Sequence, residues 1–180
     1  MGIEHNAFHT LTKPVYLIGF MGAGKSSVGR VLARVLNVET VDADDYLESQ
    51  EGKVIADIFA QDGEDAFRAM ETRYLEELSS IPRIICTGGG VVKRPENLGI
   101  MRRCGFAVYL MVTAEAAADR IPDSSSRPLF KNLETARATI EERRPLYEQA
   151  ADACVDTVGR TVDDIAFEII EILQSNGIVE

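Results

Sequence analysis

Histidine is almost missing from this chain of 180 residues. The only two, His5 and His9, lie within the first ten residues, in a segment that we predict to be a loose tail. A histidine in the core therefore cannot act as general acid, general base or nucleophile. A histidine-based metal site in the core is excluded for the same reason.

Long apolar runs and an excess of positive charge are missing as well. No run approaches the roughly 20 residues that a membrane span needs, and no signal peptide is visible. We therefore expect a cytoplasmic protein without a membrane partner. The formal net charge is −10, which argues against nucleic acid as the main partner, because no surplus of Lys and Arg neutralises phosphates.

Cysteine is scarce. Cys86, Cys104 and Cys154 are odd in number and far apart, and each lies in an apolar stretch. We expect small core residues in a reducing compartment and no disulfide framework. The composition, with 46% hydrophobic and 27% charged residues, is typical of one globular domain.

A glycine-rich motif is the first feature that carries chemistry. Residues 19–29, GFMGAGKSSVG, contain the pattern G-x-x-x-x-G-K-[ST]. A buried strand is predicted before it in PVYLIGF, and the apolar residues of KSSVGRVLARVLN recur after it with helical spacing. In this context loop N–H groups and the helix dipole hold the phosphates of a nucleoside triphosphate. Lys25 adds a charge for the outer phosphates, and the Ser26 hydroxyl can ligate magnesium.

Strand and helix patterns alternate along the rest of the chain. Further strands are predicted at residues 38–41 and in RIICT, GFAVYLMV and DACVDT. Helices are predicted in YLESQ, VIADIFA, EDAFRAMETRYLEELSS, AEAAADRI, LETARATIEERRPLYEQ and VDDIAFEIIEILQS. Pro145 is expected to kink or end its helix. The alternation indicates a parallel sheet that helices cover on both faces.

An acidic cluster follows the second predicted strand, where Asp42, Asp44 and Asp45 lie in VDADDY. Ligands of open α/β sheets bind at the carboxyl ends of strands. One carboxylate could therefore hold magnesium through water, and another could hydrogen-bond an acceptor hydroxyl. A solvated turn that caps a helix beginning near Tyr46 explains the same residues equally well.

Three consecutive glycines, Gly88, Gly89 and Gly90, end the third predicted strand. Such a run is costly in backbone entropy, which indicates close approach of the main chain to another group. A turn alone would need only one or two glycines. On the preceding helix, Arg68 and Glu71 are three residues apart and can pair, either on the surface or within a site.

Four arginines in the last third of the chain are candidates for anion binding: Arg120, Arg127, Arg143 and Arg144. Arg127 lies in the polar loop PDSSSRP, which could be a mobile lid that brings a cation to phosphates. Arg143 and Arg144 lie late in a helix, where a cation also complements the dipole.

Six segments in the same order carry a resemblance to a known family: GFMGAGKSSVGR, DADDYLE, IADIFAQDGEDAFR, TGGGVV, RPL and RRPLYEQAAD. From about residue 15 to 173 the chain resembles the shikimate kinases, which belong to the nucleoside-monophosphate-kinase-like group of P-loop folds. The resemblance implies a three-layer α/β fold with a five-stranded parallel sheet in the order 2-3-1-4-5. We expect a loose tail at 1–13 and one domain over 14–175, with a substrate-binding region at 43–72 and a mobile lid at about 120–132.

The activity implied by the resemblance is ATP-dependent phosphorylation of the 3-hydroxyl of shikimate, a step of aromatic amino acid biosynthesis through chorismate. ATP would contact the glycine-rich loop and two arginines: Gly22, Ala23, Gly24, Lys25, Ser26, Ser27, Arg120 and Arg127. Lys25 and the lid residue Arg127 would stabilise the transferring phosphate. Ser26, and Asp42 through water, would hold Mg²⁺.

The resemblance also implies how the acceptor is bound. Asp44 would hydrogen-bond the shikimate hydroxyls and assist as base. Arg68 and Arg143 would clamp the carboxylate, with Glu71 orienting Arg68 and with Arg144 at a variable position. The backbone of Gly88, Gly89 and Gly90 would approach the substrate and the γ-phosphate. Ser27 stands where threonine is commoner in the family.

Three other functions stay open on the sequence alone: a kinase of another small molecule such as gluconate, a GTP-driven switch, and a nucleotide-binding module without catalysis. The arginine pair favours an anionic acceptor without naming it. A GTP switch would carry N-K-x-D, which is absent. A binding module would have little reason to keep Asp44, Arg68 and Arg143 beside Lys25. We expect a monomer whose partners are ATP and shikimate.

Overall fold

A computed structural model describes residues 9–121 and 132–180 of the chain. Within these ranges five strands form one sheet: β1 Val15–Ile18, β2 Thr40–Asp42, β3 Ile84–Cys86, β4 Phe106–Met111 and β5 Ala153–Asp156. The helices are α1 Lys25–Leu36, α2 Ala43–Glu51, α3 Ile55–Leu78, α4 Pro95–Cys104, α5 Ala114–Arg120, α6 Leu133–Ala150 and α7 Val162–Ser175, and a 3₁₀ turn covers Val91–Lys93.

The strands run parallel in the order β2-β3-β1-β4-β5, which confirms the predicted topology. Side chains of the central strand β1 alternate between the two faces of the sheet. Val15 and Leu17 pack in the apolar cluster with α1 and α7, whereas Tyr16 and Ile18 pack in the cluster with α4 and Tyr147. Because β1 pairs with β3, the loops that follow these two strands emerge side by side.

Helices α2 and α3 contain the predicted substrate-binding region. Gly63 interrupts α3 with φ 85° and ψ 171°, so the segment forms two helical pieces, as expected from the sequence. The two pieces and α2 enclose a small apolar cluster of Leu47, Ile58, Phe67 and Tyr74. The second piece carries Arg68 and Glu71 to the loop after β3.

Three local expectations are corrected. Helix α2 begins at Ala43 and not near Tyr46, because Asp42 is its N-cap. Pro145 does not end helix α6, which continues to Ala150 with buried Ile140 and Tyr147 on the two sides of the proline. Helix α4 was not predicted, although a proline at its first position is a known start signal.

The chain ends are packed closer to the body than predicted. Residues 1–8, with His5, lie outside the described part. Leu11, however, is buried and forms an antiparallel bridge with Val179, and the backbone N–H of Thr10 donates to Glu180. This pairing corrects the inner limit of the predicted loose tail and extends the packed region beyond residue 175.

The cysteines differ in burial. Cys86 is buried, as expected, and Cys104 is half-buried. Cys154 is exposed, which corrects its assignment to the core, because it lies on the edge strand β5 and points outward. Across residues 9–121 and 132–180 we find no helix that is long and apolar enough to span a membrane.

Candidate active site

The loop between β1 and α1 forms the first half of the site. Gly22 and Gly24 have φ values of 78° and 94°, in the left-handed region that favours glycine. A β-carbon on Gly22 would also lie 2.9 Å from the carbonyl oxygen of Ala117, so α5 packs directly against the loop. Helix α1 then begins at Lys25, and the N–H groups of its first turn form an anion site.

Lys25 folds back over the loop that carries it. Its Nζ donates to the carbonyl oxygen of Gly19 at 2.6 Å and to that of Phe20 at 3.0 Å. Phosphate oxygens can replace these carbonyls as acceptors, because an ammonium group has three donors that rotate freely. The geometry therefore suits a lysine that moves a short way onto a bound phosphate.

Ser26 and Asp42 form a pair beside the loop. The Ser26 hydroxyl donates to Asp42 Oδ2 at 2.8 Å, while Asp42 Oδ1 accepts the backbone N–H groups of Asp44 at 3.0 Å and Asp45 at 3.2 Å. Asp42 thus caps α2 and also faces the phosphate loop, so its position is compatible with both interpretations that the sequence left open. The pair offers two oxygen ligands, which suits Mg²⁺ held jointly with substrate phosphates. Within the described ranges no group of three or more His, Cys, Asp or Glu side chains could hold a metal alone.

Gly88 allows two carboxylates to approach the backbone after β3. A β-carbon on Gly88 would lie 2.7 Å from Asp44 Oδ1 and 3.1 Å from Glu71 Oε2. Any side chain here would displace one of these oxygens. The glycine is required by close approach, as expected from the triplet.

The next two glycines face the arginines. A β-carbon on Gly90 would lie 2.4 Å from Arg68 Nη2, and one on Gly89 would lie 3.7 Å from Arg143 Nη1. The same point on Gly89 lies 3.6 Å from the carbonyl oxygen of Gly19, in the phosphate loop. The glycine run is therefore where the phosphate loop and the charged side chains of α2, α3 and α6 meet.

Asp44 has an altered proton affinity. Its burial, followed by the nearby carboxylates of Glu71 and Asp42, raises the pKa of Asp44 from 3.8 to about 6, against the opposing effect of Lys25 and Arg68. The group is still mainly ionised at pH 7. A pKa near the working pH is what proton acceptance from a hydroxyl favours.

Arg68 and Glu71 form a largely buried ion pair. Arg68 Nη1 donates to Glu71 Oε1 at 2.8 Å, and the guanidinium carbon lies 5.0 Å from the centre of the Phe67 ring. Glu71 is 6% exposed, and burial raises its pKa although Arg68 lowers it in part. Among the described residues Glu71 Oε2 and Arg68 Nε have no hydrogen-bond partner, and Arg68 Nε lies 3.5 Å from Glu64 in an ion pair.

The two adjacent arginines of α6 have opposite environments. Arg143 is 8% exposed and lies beside the glycine run. Arg144 is exposed and pairs with Glu141 on the same helix at 2.6 Å. Tyr147, one turn beyond Arg143, donates its hydroxyl to the carbonyl oxygen of Gly89, and burial raises the pKa of Tyr147 to about 12. Tyr147 was not predicted as a site residue, although its spacing of four from Arg143 places it on the same helical face.

Arg120 contacts the back of the phosphate loop. Its Nη1 donates to the carbonyl oxygens of Gly22 at 3.2 Å and Ala23 at 3.4 Å, and its Nη2 donates to the carbonyl oxygen of Thr157 at 2.6 Å. Thr157 was also missed, and no local sequence signal marks it. Ser27 lies in the first turn of α1, where its hydroxyl accepts from Arg30 at 3.3 Å. Arg127 lies outside the described residues.

The site therefore has two adjacent halves, one suited to phosphates and the other to a hydroxylated acid. One half presents N–H groups, an ammonium group and the hydroxyl–carboxylate pair of Ser26 and Asp42 on the side where phosphates would bind. The other presents two guanidinium groups to an anion and the Asp44 carboxylate to a hydroxyl. Such an arrangement suits phosphoryl transfer to a hydroxylated acid, which depends mainly on positioning and charge stabilisation.

Comparison with protein families gives a match that spans most of the chain. The family model described as shikimate kinase matches residues 21–174. This range contains both halves of the site from Gly22 to Arg143. It also extends over most of the sheet and its covering helices.

Individual relatives agree with that match. A shikimate kinase of Bacillus cytotoxicus is 39% identical over 165 residues, which cover 91% of this chain and 99% of that protein. The structure of a shikimate kinase from Acinetobacter baumannii in complex with shikimate is 34% identical, covers 91% of this chain and 94% of the other, and superposes with a TM-score of 0.86. The shikimate kinase of Aquifex aeolicus is 33% identical, with coverages of 91% and 98% and a TM-score of 0.77.

Proposed function

The chain belongs to the shikimate kinase family, and on that premise we propose that it transfers the γ-phosphate of ATP to the 3-hydroxyl of shikimate. The product is shikimate 3-phosphate, in the biosynthesis of aromatic amino acids through chorismate. The observation that carries the proposal is the convergence of Asp44, Arg68 and Arg143 on the Gly88–Gly90 backbone, beside the phosphate loop.

ATP binds with its phosphates on the loop and on the first turn of α1. Lys25 exchanges the carbonyls of Gly19 and Phe20 for phosphate oxygens and stabilises the charge that moves during transfer. The backbone from Gly22 to Ser27 supplies N–H donors. Arg127 is the lid cation expected to complete the charge around the transferring group.

Mg²⁺ is the cofactor that accompanies ATP, held by Ser26 and, through water, by Asp42. Their 2.8 Å hydrogen bond supports this assignment, because it gathers a hydroxyl and a carboxylate oxygen beside the phosphate loop. When bound, the ion neutralises charge on the phosphates. The capping bonds to Asp42 Oδ1 keep this carboxylate oriented whether or not a ligand is present.

The acceptor lies on the other side of the glycine run. Arg68 and Arg143 bind its carboxylate, since guanidinium groups match the geometry of a carboxylate fork. Glu71 holds Arg68 at 2.8 Å and so orients it. Asp44 accepts a hydrogen bond from the reacting hydroxyl, and its raised pKa of about 6 brings proton acceptance within reach at neutral pH.

The remaining features of the proposal concern the protein in the cell. We infer a monomer in the cytoplasm whose partners are ATP and shikimate, without a nucleic-acid or membrane partner. The net charge of −10 supports the absence of a nucleic-acid role, because it opposes binding to phosphate backbones.

The experiment is a coupled assay of ADP release with a panel of acceptors: shikimate, its methyl ester, gluconate and nucleoside monophosphates. We expect turnover with shikimate, strong loss with the ester, and none with nucleoside monophosphates. The ester keeps every hydroxyl and removes only the charge that Arg68 and Arg143 bind. Equal rates with shikimate and its ester, or faster turnover of gluconate, would contradict the proposal.

A further inference from the structure

Arg120 is attached to four oxygen atoms that belong to two different loops. Its Nη1 donates to Gly22 O at 3.2 Å, Ala23 O at 3.4 Å and Thr157 Oγ1 at 3.0 Å, and its Nη2 donates to Thr157 O at 2.6 Å. Resemblance to the shikimate kinases implies only that Arg120 lies near the adenine of ATP, and a contact with the nucleobase does not explain this set of bonds. Each bond goes to the protein itself, and two of them go to the carbonyl side of the phosphate loop.

Arg120 donates to the carbonyl oxygens of Gly22 and Ala23, and the orientation of these carbonyls fixes the direction of the N–H groups in the same peptide units. The chain has no cis peptide bond in the described ranges, and a planar trans peptide directs its C=O and N–H to opposite sides. Because the Ala23 carbonyl accepts from Arg120, the N–H of Gly24 in the same peptide unit points away from Arg120. The preceding N–H, that of Ala23, is already used in a bond to Phe20 O at 3.1 Å. Gly24 N–H is thus the donor whose aim depends on Arg120.

A cation on the carbonyl oxygen has a second effect on that peptide. Hydrogen bonds polarise the groups that they link, so a donor on the oxygen side makes the N–H on the other side a stronger donor. The Arg120 guanidinium is permanently charged, which makes this polarisation larger than a neutral donor would. The bond therefore both directs the Gly24 N–H and strengthens it toward an anion.

The support behind Arg120 is rigid. Thr157 is fully buried, and its backbone N–H and its hydroxyl both donate to Met111 O at the end of β4, at 3.1 Å and 2.7 Å. On the other side, Ala117 of the same helix α5 packs against Gly22, where a β-carbon would lie 2.9 Å from its carbonyl oxygen. The central sheet thus holds Thr157, Thr157 holds Arg120, and Arg120 holds the loop.

We propose that Arg120, anchored by Thr157, is a positioning residue that aims the Gly24 N–H of the phosphate loop at the polyphosphate of ATP, independently of the nucleobase. The inference rests on the proposed function, because it assigns a phosphate-binding role to the loop. It predicts that any ligand with the same phosphates needs Arg120, whether or not adenine is attached.

The test compares ADP with inorganic tripolyphosphate, which has no nucleobase, by titration calorimetry on the full chain. Arg120→Gln should weaken both ligands by the same factor, about tenfold. The matched control is Arg103→Gln, which removes an exposed arginine paired with Glu76 and should leave both affinities unchanged. If Arg120→Gln weakens the binding of ADP but not that of tripolyphosphate, Arg120 contacts the nucleobase and the proposal is overturned. Unchanged affinity for both ligands would also overturn it.

A second measurement does not need any ligand. In the free protein, Arg120→Gln should shift the amide proton resonance of Gly24 upfield, whereas that of Gly52, at the end of α2, should not move. If Arg120→Gln fails to fold by circular dichroism, Arg120→Lys takes its place and should give a smaller but equal loss for both ligands. An unmoved Gly24 resonance overturns the inference. If these tests give the expected results but the protein does not phosphorylate shikimate, only the proposed function is contradicted.

Discussion

The two halves of the active site are built by opposite means. The phosphate half comes mainly from one continuous segment, residues 19–27, to which the end of β2 adds only Asp42. Its key polar groups are paired within the protein: Lys25 with loop carbonyls, Ser26 with Asp42. The acceptor half is gathered from α2, α3, α6 and the glycine run. There Glu71 Oε2 and Arg68 Nε are buried without a hydrogen-bond partner in the described part of the chain.

The difference indicates that the acceptor half has buried polar groups whose partners would come from the bound acceptor. A buried polar atom without a partner costs about 1–3 kcal/mol, so the acceptor half is held in an unfavourable state before substrate binds. The raised pKa of Asp44 has the same origin, because burial and the neighbouring carboxylates disfavour its charge. A hydroxylated acid would relieve part of this cost. The phosphate half needs no such relief, so changes in the two halves should have different consequences for binding, turnover and stability.

The largest effect is expected in the phosphate half, from Lys25→Met. The substitution keeps the length of the side chain but removes the charge on the transferring phosphate, so kcat should fall by about 10³-fold. The fold should persist, because the ammonium group bonds to carbonyls of its own loop. Steady-state kinetics and circular dichroism of the same preparation test both statements.

The control for this change is Lys53→Met. Lys53 is exposed and pairs with Asp62 at 3.7 Å, so its loss should leave kcat unchanged. Turnover of Lys25→Met within a few-fold of the original enzyme would remove the basis for assigning phosphates to this loop.

The adjacent arginines of α6 provide the sharpest test of the acceptor half. Arg143→Gln should raise KM for shikimate by about ten- to a hundredfold, since a charge-assisted bond worth about 1.5–3 kcal/mol is lost, with KM for ATP nearly unchanged. Arg144→Gln should change neither, because Arg144 is exposed and paired with Glu141. Arg143→Lys should recover only part of the loss, since an ammonium group cannot form the fork.

Steady-state kinetics, with shikimate and ATP varied in turn, measure the effect of each substitution on the two KM values separately. The assignment fails if Arg143→Gln and Arg144→Gln behave alike toward shikimate. In that case both arginines would serve only as cations near the end of a helix.

The same contrast explains how much could be predicted from the sequence. The phosphate half was predicted from its residues because strand, loop and helix follow one another, so local spacing contains the geometry. For Asp44, Arg68 and Arg143, spacing left a helix-capping, surface or helix-end role open, and only family resemblance assigned them to the acceptor. Their convergence depends on strand order, which brings distant segments to one edge of the sheet.

Other features depended on packing that local patterns do not contain. Pro145 stays inside α6 because buried side chains on both sides of it outweigh the lost backbone bond. Thr157 supports Arg120 from a position that nothing in its own segment marks. Leu11 is buried in the apolar cluster of α1 and α7 and pairs with Val179, which is far away in the sequence. The sheet and most helices were therefore predictable, and the side chains that support the site from behind were not.

Substitution of Gly88 by alanine tests whether the acceptor half requires the close approach of Asp44 to the backbone at residue 88. Gly88→Ala would place a carbon 2.7 Å from Asp44 Oδ1, so the carboxylate must move, and kcat/KM for shikimate should fall about tenfold. KM for ATP should change little. Gly99→Ala is the matched control, because a β-carbon there has no neighbour within 4 Å and lies inside helix α4. Equal activity of the two variants would show that the acceptor half tolerates a side chain at residue 88.

The smallest expected effect is a change in stability, caused by Asp44→Asn, and its sign is opposite to that of the effect on activity. Asp44→Asn removes the charge that accepts the hydroxyl hydrogen bond, so turnover should fall strongly. Yet an aspartate whose pKa is higher in the folded protein than in the unfolded chain favours folding only while it is protonated. Its ionisation makes folding less favourable as pH rises from about 4 to about 6, the interval between its ordinary value of 3.8 and its value in the fold of about 6.

Above pH 6, therefore, Asp44→Asn should be more stable than the original protein. Two pKa units set an upper limit of about 3 kcal/mol, and partial exposure of the group reduces the expected gain to about 1 kcal/mol, or about 2–4 °C in Tm. Thermal unfolding at pH 8 and at about pH 3, below the ordinary pKa of 3.8, measures it, and the difference between the proteins should vanish at the lower pH. Asp45→Asn, at the exposed neighbouring position, should show a smaller gain in stability. The substitution keeps the cap, because Asp45 donates only its backbone N–H to Asp42 Oδ1. If Asp44→Asn loses both activity and stability at pH 8, the carboxylate supports the fold, and the acceptor half is not held in the unfavourable state that distinguishes it from the phosphate half.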